Sequence, residues 1–198
     1  MILSIETQIL TKIKKAKGGS LYFVEDFLRF GNAKSIAKAL ERLVSKQEIT
    51  RVARGIYSRL DVDPHIGSIM PAFEDIAIAV AKRDKARIIP TGNMAMHLLG
   101  LSTQIPMNIV YLTDGAARKL TIGNAKIVFK KTAPKNLATI GKISSLVIQA
   151  LKAIGQEKIS LEQKSIIIAL LQKEEKSRLE HDIRMAPEWI RKIMREAL

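Results

Sequence analysis

The sequence predicts a helix-rich α+β protein in two parts, and three observations carry that expectation. Apolar residues recur at helical spacing in several separate segments, short β-like runs lie between them, and the pattern changes at Asp61-Val62-Asp63-Pro64. A length of 198 residues fits one domain or two small ones, and an apolar fraction of 47% is enough for an ordinary core.

In the first part, Ser4 is placed to cap a helix carrying Ile5, Ile9, Leu10 and Ile13. Lys14, Lys15 and Lys17 suit the negative end of its dipole, and Gly18-Gly19 stops it. Leu21-Tyr22-Phe23 reads as a very short strand, and Val24, Phe27 and Leu28 mark a short helix ending near Gly31. Asn32 caps a helix from Ala33 to about Lys46. Ile49–Ala53 and Ile56–Leu60 are two β-like runs meeting at the tight turn Arg54-Gly55. Helix, short strand, helix, turn, helix and two-stranded hairpin is the order of a winged helix-turn-helix, predicted for residues 1–60.

Pro64 marks the boundary, and residues 66–198 are expected to form a second, α/β domain. Pro71 opens a helix with Phe73, Ile76, Ala77 and Val80, followed by a strand at Arg87-Ile88-Ile89. Thr91 is positioned to cap a helix through Leu99, with Gly100 just beyond it. Asn108–Thr113 and Ala125–Lys130 read as strands. Ile143, Val147, Ala150, Leu151 and Ile154 form one apolar helix face. Ser160 and Gln163 make a capping-box signature, and a last helix starts at Pro187.

Charge points to a partner. Thirty-three Lys and Arg against nineteen Asp and Glu give +14 and a pI near 10.1, which favours polyanions. Residues 1–60 hold twelve of the cations and only five of the acids, so the first third is the more concentrated positive body. On the 33–46 helix, Ile36, Leu40 and Leu43 fall within about 60° of one another, and Lys34, Lys38 and Arg42 fall on the opposite side. An α-helix fits the DNA major groove with its leading residues toward the bases. Asn32, Lys34 and Ser35 occupy that leading end, with Lys38 and Arg42 behind them. Arg51, Arg54 and Tyr57 of the hairpin stand beside the helix, where Arg suits phosphate or a narrow minor groove. Double-stranded DNA is the expected ligand. Arg118, Lys119, Lys126, Lys130 and Lys131 make a candidate second basic surface for DNA, RNA or an acidic protein.

The segment Ala53-Arg54-Gly55-Ile56-Tyr57, followed by IIPTGNMAMHLLGLSTQIPMNIVYLTDG over 88–115, resembles the abortive-infection AbiE-type antitoxins (AbiEi-like). The resemblance covers most of residues 20–135 in order and spacing, and the last 60 loosely. It implies an antitoxin-like second domain and two jobs: repression of the chain's own operon at its operator, and opposition to a nucleotidyltransferase-type toxin or its target RNA. Family members often carry Pro shortly after the tyrosine, where Ser58-Arg59-Leu60 stands here. A stand-alone winged-helix regulator with a ligand-sensing or dimerisation domain is the alternative reading.

Other classes are not favoured. There is no cysteine, hence no disulfide and no thiol nucleophile. His65, His97 and His181 lack metal-ligand spacing, and no Gly-rich phosphate loop with its Lys is present. A nuclease would use Asp114 at the end of a strand, yet the neighbouring strand AKIVFKKT offers only cations. No enzyme activity, cofactor or metal is expected. Without a signal peptide or an apolar run near the roughly 20 residues a span needs, the expectation is a cytoplasmic protein with no membrane partner.

Overall fold

The computed structural model describes residues 3–198. It is α+β, and by its contacts it divides into two units, residues 1–80 with 120–122 and residues 81–119 with 123–198.

The first unit begins with α1 (Ile5–Lys15), where the Ser4 hydroxyl accepts the Thr7 N–H at 3.1 Å. β1 (Leu21–Tyr22) leads into a 3-10 helix, Val24–Phe30, and then α2 (Ala33–Ser45). The middle helix is thus wound more tightly than an α-helix, with the Asp26 carboxylate accepting the Phe23 N–H at 2.8 Å across its first turn. β2 (Thr50–Ala53) and β3 (Ile56–Ser58) form the hairpin around Gly55, whose φ of +76° is a conformation that L side chains rarely adopt. β3 is the central strand of three, in the order β1-β3-β2, so Tyr22 and Arg51 both stand opposite Tyr57. Ile9, Ile13, Phe27, Ile36, Leu40 and Leu43 meet in one core, each at most 1% exposed.

The chain then forms a small separate hairpin, β4 (Asp61–Asp63) with β5 (Gly67–Ile69), where the sequence suggested only a boundary. α3 (Phe73–Arg83) follows, with Ile76, Ala77 and Val80 buried as its spacing predicts.

A mixed sheet in the order β6-β7-β9-β8 organises the next stretch. Its strands are β6 (Ile88–Pro90), β7 (Asn108–Thr113), β8 (Arg118–Ile122) and β9 (Ala125–Lys131). β6 runs antiparallel to β7, and β7 parallel to β9. α4 (Gly92–Leu98) lies between β6 and β7 in sequence; Thr91 occupies its cap position but donates its hydroxyl to the Val110 carbonyl at 3.3 Å instead of capping.

Four helices complete the second unit: α5 (Lys142–Ile154), α6 (Leu161–Leu171), α7 (Lys176–Met185) and α8 (Glu188–Arg195). Val147, Leu151, Ile167, Leu171, Ile190 and Met194 of these helices share a buried cluster with Ala95 and Leu99. The Ser160–Gln163 capping box is formed in both directions. The start of α5 has no side-chain cap of its own, and two carboxylates from farther along the chain serve it. Asp182, 0% exposed, accepts the Ile140 and Gly141 N–H groups, each at 2.9 Å, and the Ser144 hydroxyl at 2.5 Å. Glu174 accepts the Ile143 N–H at 2.7 Å. Replacing Asp182 with Ala strands the buried Gly141 N–H and Ser144 hydroxyl and the part-buried Ile140 N–H, so the unfolding free energy should fall by about 3–5 kcal/mol. Urea denaturation followed by circular dichroism checks this; a loss below 1 kcal/mol, of roughly surface-substitution size, would contradict it.

Candidate nucleic-acid interface

The geometry of α2 follows from its cap and its buried side. The Asn32 carbonyl oxygen accepts the Ser35 N–H at 2.9 Å, which fixes where the helix begins. Ile36, Ala39, Leu40 and Leu43 are buried on one side, and this sets the rotation of the whole helix. Lys34, Lys38 and Arg42 are therefore exposed on the other, and Ser35 is partly exposed beside them. Among the described residues none of these three cations makes an ion pair, nor do the exposed Arg51 and Arg54 of the β2–β3 hairpin. Two other cations of the unit are neutralised, Lys14 by Glu48 at 2.9 Å and Lys46 by Glu6, while Lys15, Lys17 and Arg29 are exposed without an ion pair among the described residues. Glu41 is the lone carboxylate of α2, toward its C-terminal half.

Lys38 and Arg42 also line an open groove of about 300 Å³ with Ser35 of α2 and with Ser4 and Glu6 at the start of α1. The positive end of the α1 dipole adds to the lysine and arginine charge there, and Glu6 subtracts from it.

Tyr57 departs from its expected place. It is only 4% exposed and belongs to the core, because its strand is the central one and β1 covers the edge that a lone hairpin would leave open. The pairing of Leu21-Tyr22 with residues 57–58, which no local pattern announces, is what takes Tyr57 off the surface. Asn32 is exposed, but one of its polar atoms is already engaged in the cap.

The second basic set is less uniform. Lys119, Lys126, Lys130 and Lys131 are exposed, while Arg118 is half-buried and paired with Asp84. Arg118 and Lys119 lie on β8, a strand beyond those expected from the sequence. Asp114 accepts the Arg87 N–H at 2.8 Å and its guanidinium Nε–H at 2.9 Å. The backbone bond foremost, then the side-chain bond, holds its carboxyl below the ordinary range. His97 lies close to the Ser102 carbonyl, and His181 to Asp182, 3.3 and 2.8 Å from their nitrogens. Among the described residues no group of three His, Asp or Glu side chains could hold a metal ion.

These features define an α+β protein with an exposed, unpaired cationic helix and hairpin at its N-terminal end. Residues 8–179 match the model of the Family of unknown function (DUF6088), and the chain belongs to that family. No curated protein matches it. The crystal structure of the RV2827C protein from Mycobacterium tuberculosis is similar at 10% identity, covering 100% of this chain and 83% of that one, with a TM-score of 0.45. No helix among the described residues is long and apolar enough to cross a membrane.

The Asp114 contact has a pH signature. A carboxyl whose folded pKa is depressed stabilises the fold above its unfolded value, near 3.9, and loses that contribution as pH falls through the folded value. Asp114→Asn should therefore lower stability at neutral pH and match the parent protein in strong acid. Denaturant titrations at several pH values check this, and a difference independent of pH would contradict it.

Proposed function

We propose that residues 1–60 are a winged helix-turn-helix that binds double-stranded DNA at the chain's own operator and represses transcription in the cytoplasm. In this reading the 3-10 segment Val24–Phe30 and α2 form the helix-turn-helix, α2 is the recognition helix, and the β2–β3 hairpin is the wing. The observation that carries it is the set of five exposed cations, Lys34, Lys38, Arg42, Arg51 and Arg54, without an ion pair among the described residues, three of them on one face of a capped helix and two on the adjoining hairpin in sequence. Lys34, Lys38 and Arg42 share one helix face, as cations that meet a phosphate backbone must, whereas cations serving solubility alone need no common face.

Lys34 and Ser35 then lead into the major groove, with the free amide hydrogens of Asn32 available to a base acceptor. Lys38 and Arg42 follow along the helix, and Arg51 and Arg54 contact the backbone. Tyr57 acts only through the core. Residues 66–198 oppose a nucleotidyltransferase-type toxin or engage its target RNA, a role supported by the resemblance of residues 88–115 to AbiE-type antitoxins. The protein performs no catalysis of its own in this account; Asp114 serves as the partner of Arg87.

Fluorescence anisotropy with the chain's own upstream DNA tests the reading. Neutralising four to six phosphates gives a slope of log K against log salt of roughly −4 to −5. Changing Lys34, Lys38 and Arg42 together to Ala should weaken binding and flatten that slope by about three units. A slope near zero, or unchanged binding by the triple variant, would overturn it. The same variant should still protect cells from a co-expressed neighbouring nucleotidyltransferase, because the two jobs reside in different parts of the chain. Loss of protection with operator binding would contradict that division.

A further inference from the structure

The Asp61–Ile69 hairpin joins neither of the other sheets, since β4 and β5 pair only with each other. Val62 is 74% exposed, Ile66 76% and Ile69 42%, and Met70 just beyond is 45% exposed. A two-stranded hairpin standing alone in water is at best marginally stable. This one is nevertheless held in shape. The Asp63 carboxylate accepts the His65 and Ile66 N–H groups at 2.8 and 3.1 Å, closing the turn. At the base, the Asp61 carboxylate lies so close to Gly18 that any Cβ there would collide with it. A preorganised arm with apolar side chains and open strand edges in water calls for a covering surface.

Charge selects the cover. From Asp61 to Ala81 the chain has four carboxylates, Asp61, Asp63, Glu74 and Asp75, and no Lys or Arg, although cations outnumber acids thirty-three to nineteen overall. Phosphates repel such a segment, so nucleic acid is a poor cover. A second arm is no better, because hairpin on hairpin crowds Asp61 and Asp63 of both copies. A basic sheet face with an apolar centre is complementary, and the chain presents one on β9. There Lys126 and Lys130 are exposed and without an ion pair among the described residues, and Val128 between them is partly exposed.

We infer that two copies of this chain associate by exchanging arms, the β4–β5 hairpin of each lying on the β9 face of the other. Reciprocal exchange makes a closed, two-fold pair and leaves no arm uncovered. Val62 and Ile66 bury their apolar surface beside Val128, while Asp61 and Asp63, which alternate to the other face of the narrow hairpin, attract the long Lys126 and Lys130 side chains past its edge. The pairing goes beyond DNA binding and does not require it.

Sedimentation equilibrium on the full chain without DNA tests this. The parent protein should dimerise at micromolar concentration, and more weakly as salt rises. Val62→Lys with Ile66→Lys, and separately Lys126→Glu with Lys130→Glu, should each weaken the dimer by roughly tenfold or more. All four positions are solvent-exposed, so thermal melts should keep the secondary structure of the parent; Val62→Ser with Ile66→Ser provides a milder version of the first change. A monomeric parent at tens of micromolar, as expected for an arm reserved for some other basic protein, would overturn the proposal. So would a dimer retained at parental strength by either charged variant.

Discussion

Ile36, Leu40 and Leu43 of α2 withdraw from water against Ile9, Ile13 and Phe27, and the surface chemistry of the first unit depends on that seam. Burying side chains of this kind contributes about 1.5–3 kcal/mol each, so turning the helix about its axis would forfeit several times the thermal energy. Lys34, Lys38 and Arg42 have no freedom to face elsewhere. The Asn32 cap fixes the helix along its length as the seam fixes it in rotation. A helix locked in both senses presents its cations without backbone reorganisation, so binding has only their side-chain freedom to restrict.

Much of this was legible in the sequence because helix spacing and caps are local. Ser4, Asn32 and Ser160 cap where their side chains and neighbours indicate, and the apolar faces of α2, α3 and α5 are buried as their periodicity requires. The failures involve partners distant in sequence. Tyr57 looks like a surface residue until β1, some thirty-five positions earlier, is placed beside it. The β4–β5 hairpin was masked because Pro64 and two aspartates read as a linker, although Asp63 and Gly67 bracket a turn that closes on itself. β8 lies among alternating basic and apolar residues that read equally well as a charged loop.

Within the candidate interface, the sequence located the cations but not their state of pairing. Whether a lysine is neutralised depends on which carboxylate the fold delivers to it. Lys46, just past the end of α2, is satisfied by Glu6, forty residues earlier, whereas Lys38 within α2 has no such partner among the described residues. The same limit applies to Arg118, paired with Asp84 across a long stretch of chain. Fold-borne pairing thus sorts a uniformly basic composition into quiet and available charge.

The carboxylate of Asp182 has a consequence for the order of events during synthesis. The seam among residues 9–43 joins residues that are all made well before α5, and can close without waiting for it. The opening turn of α5 instead waits for an acceptor some forty residues downstream, so its amides stay hydrated until Asp182 has been made. The two units are thereby assigned different birth times, with α5 settling only once α7 has been made.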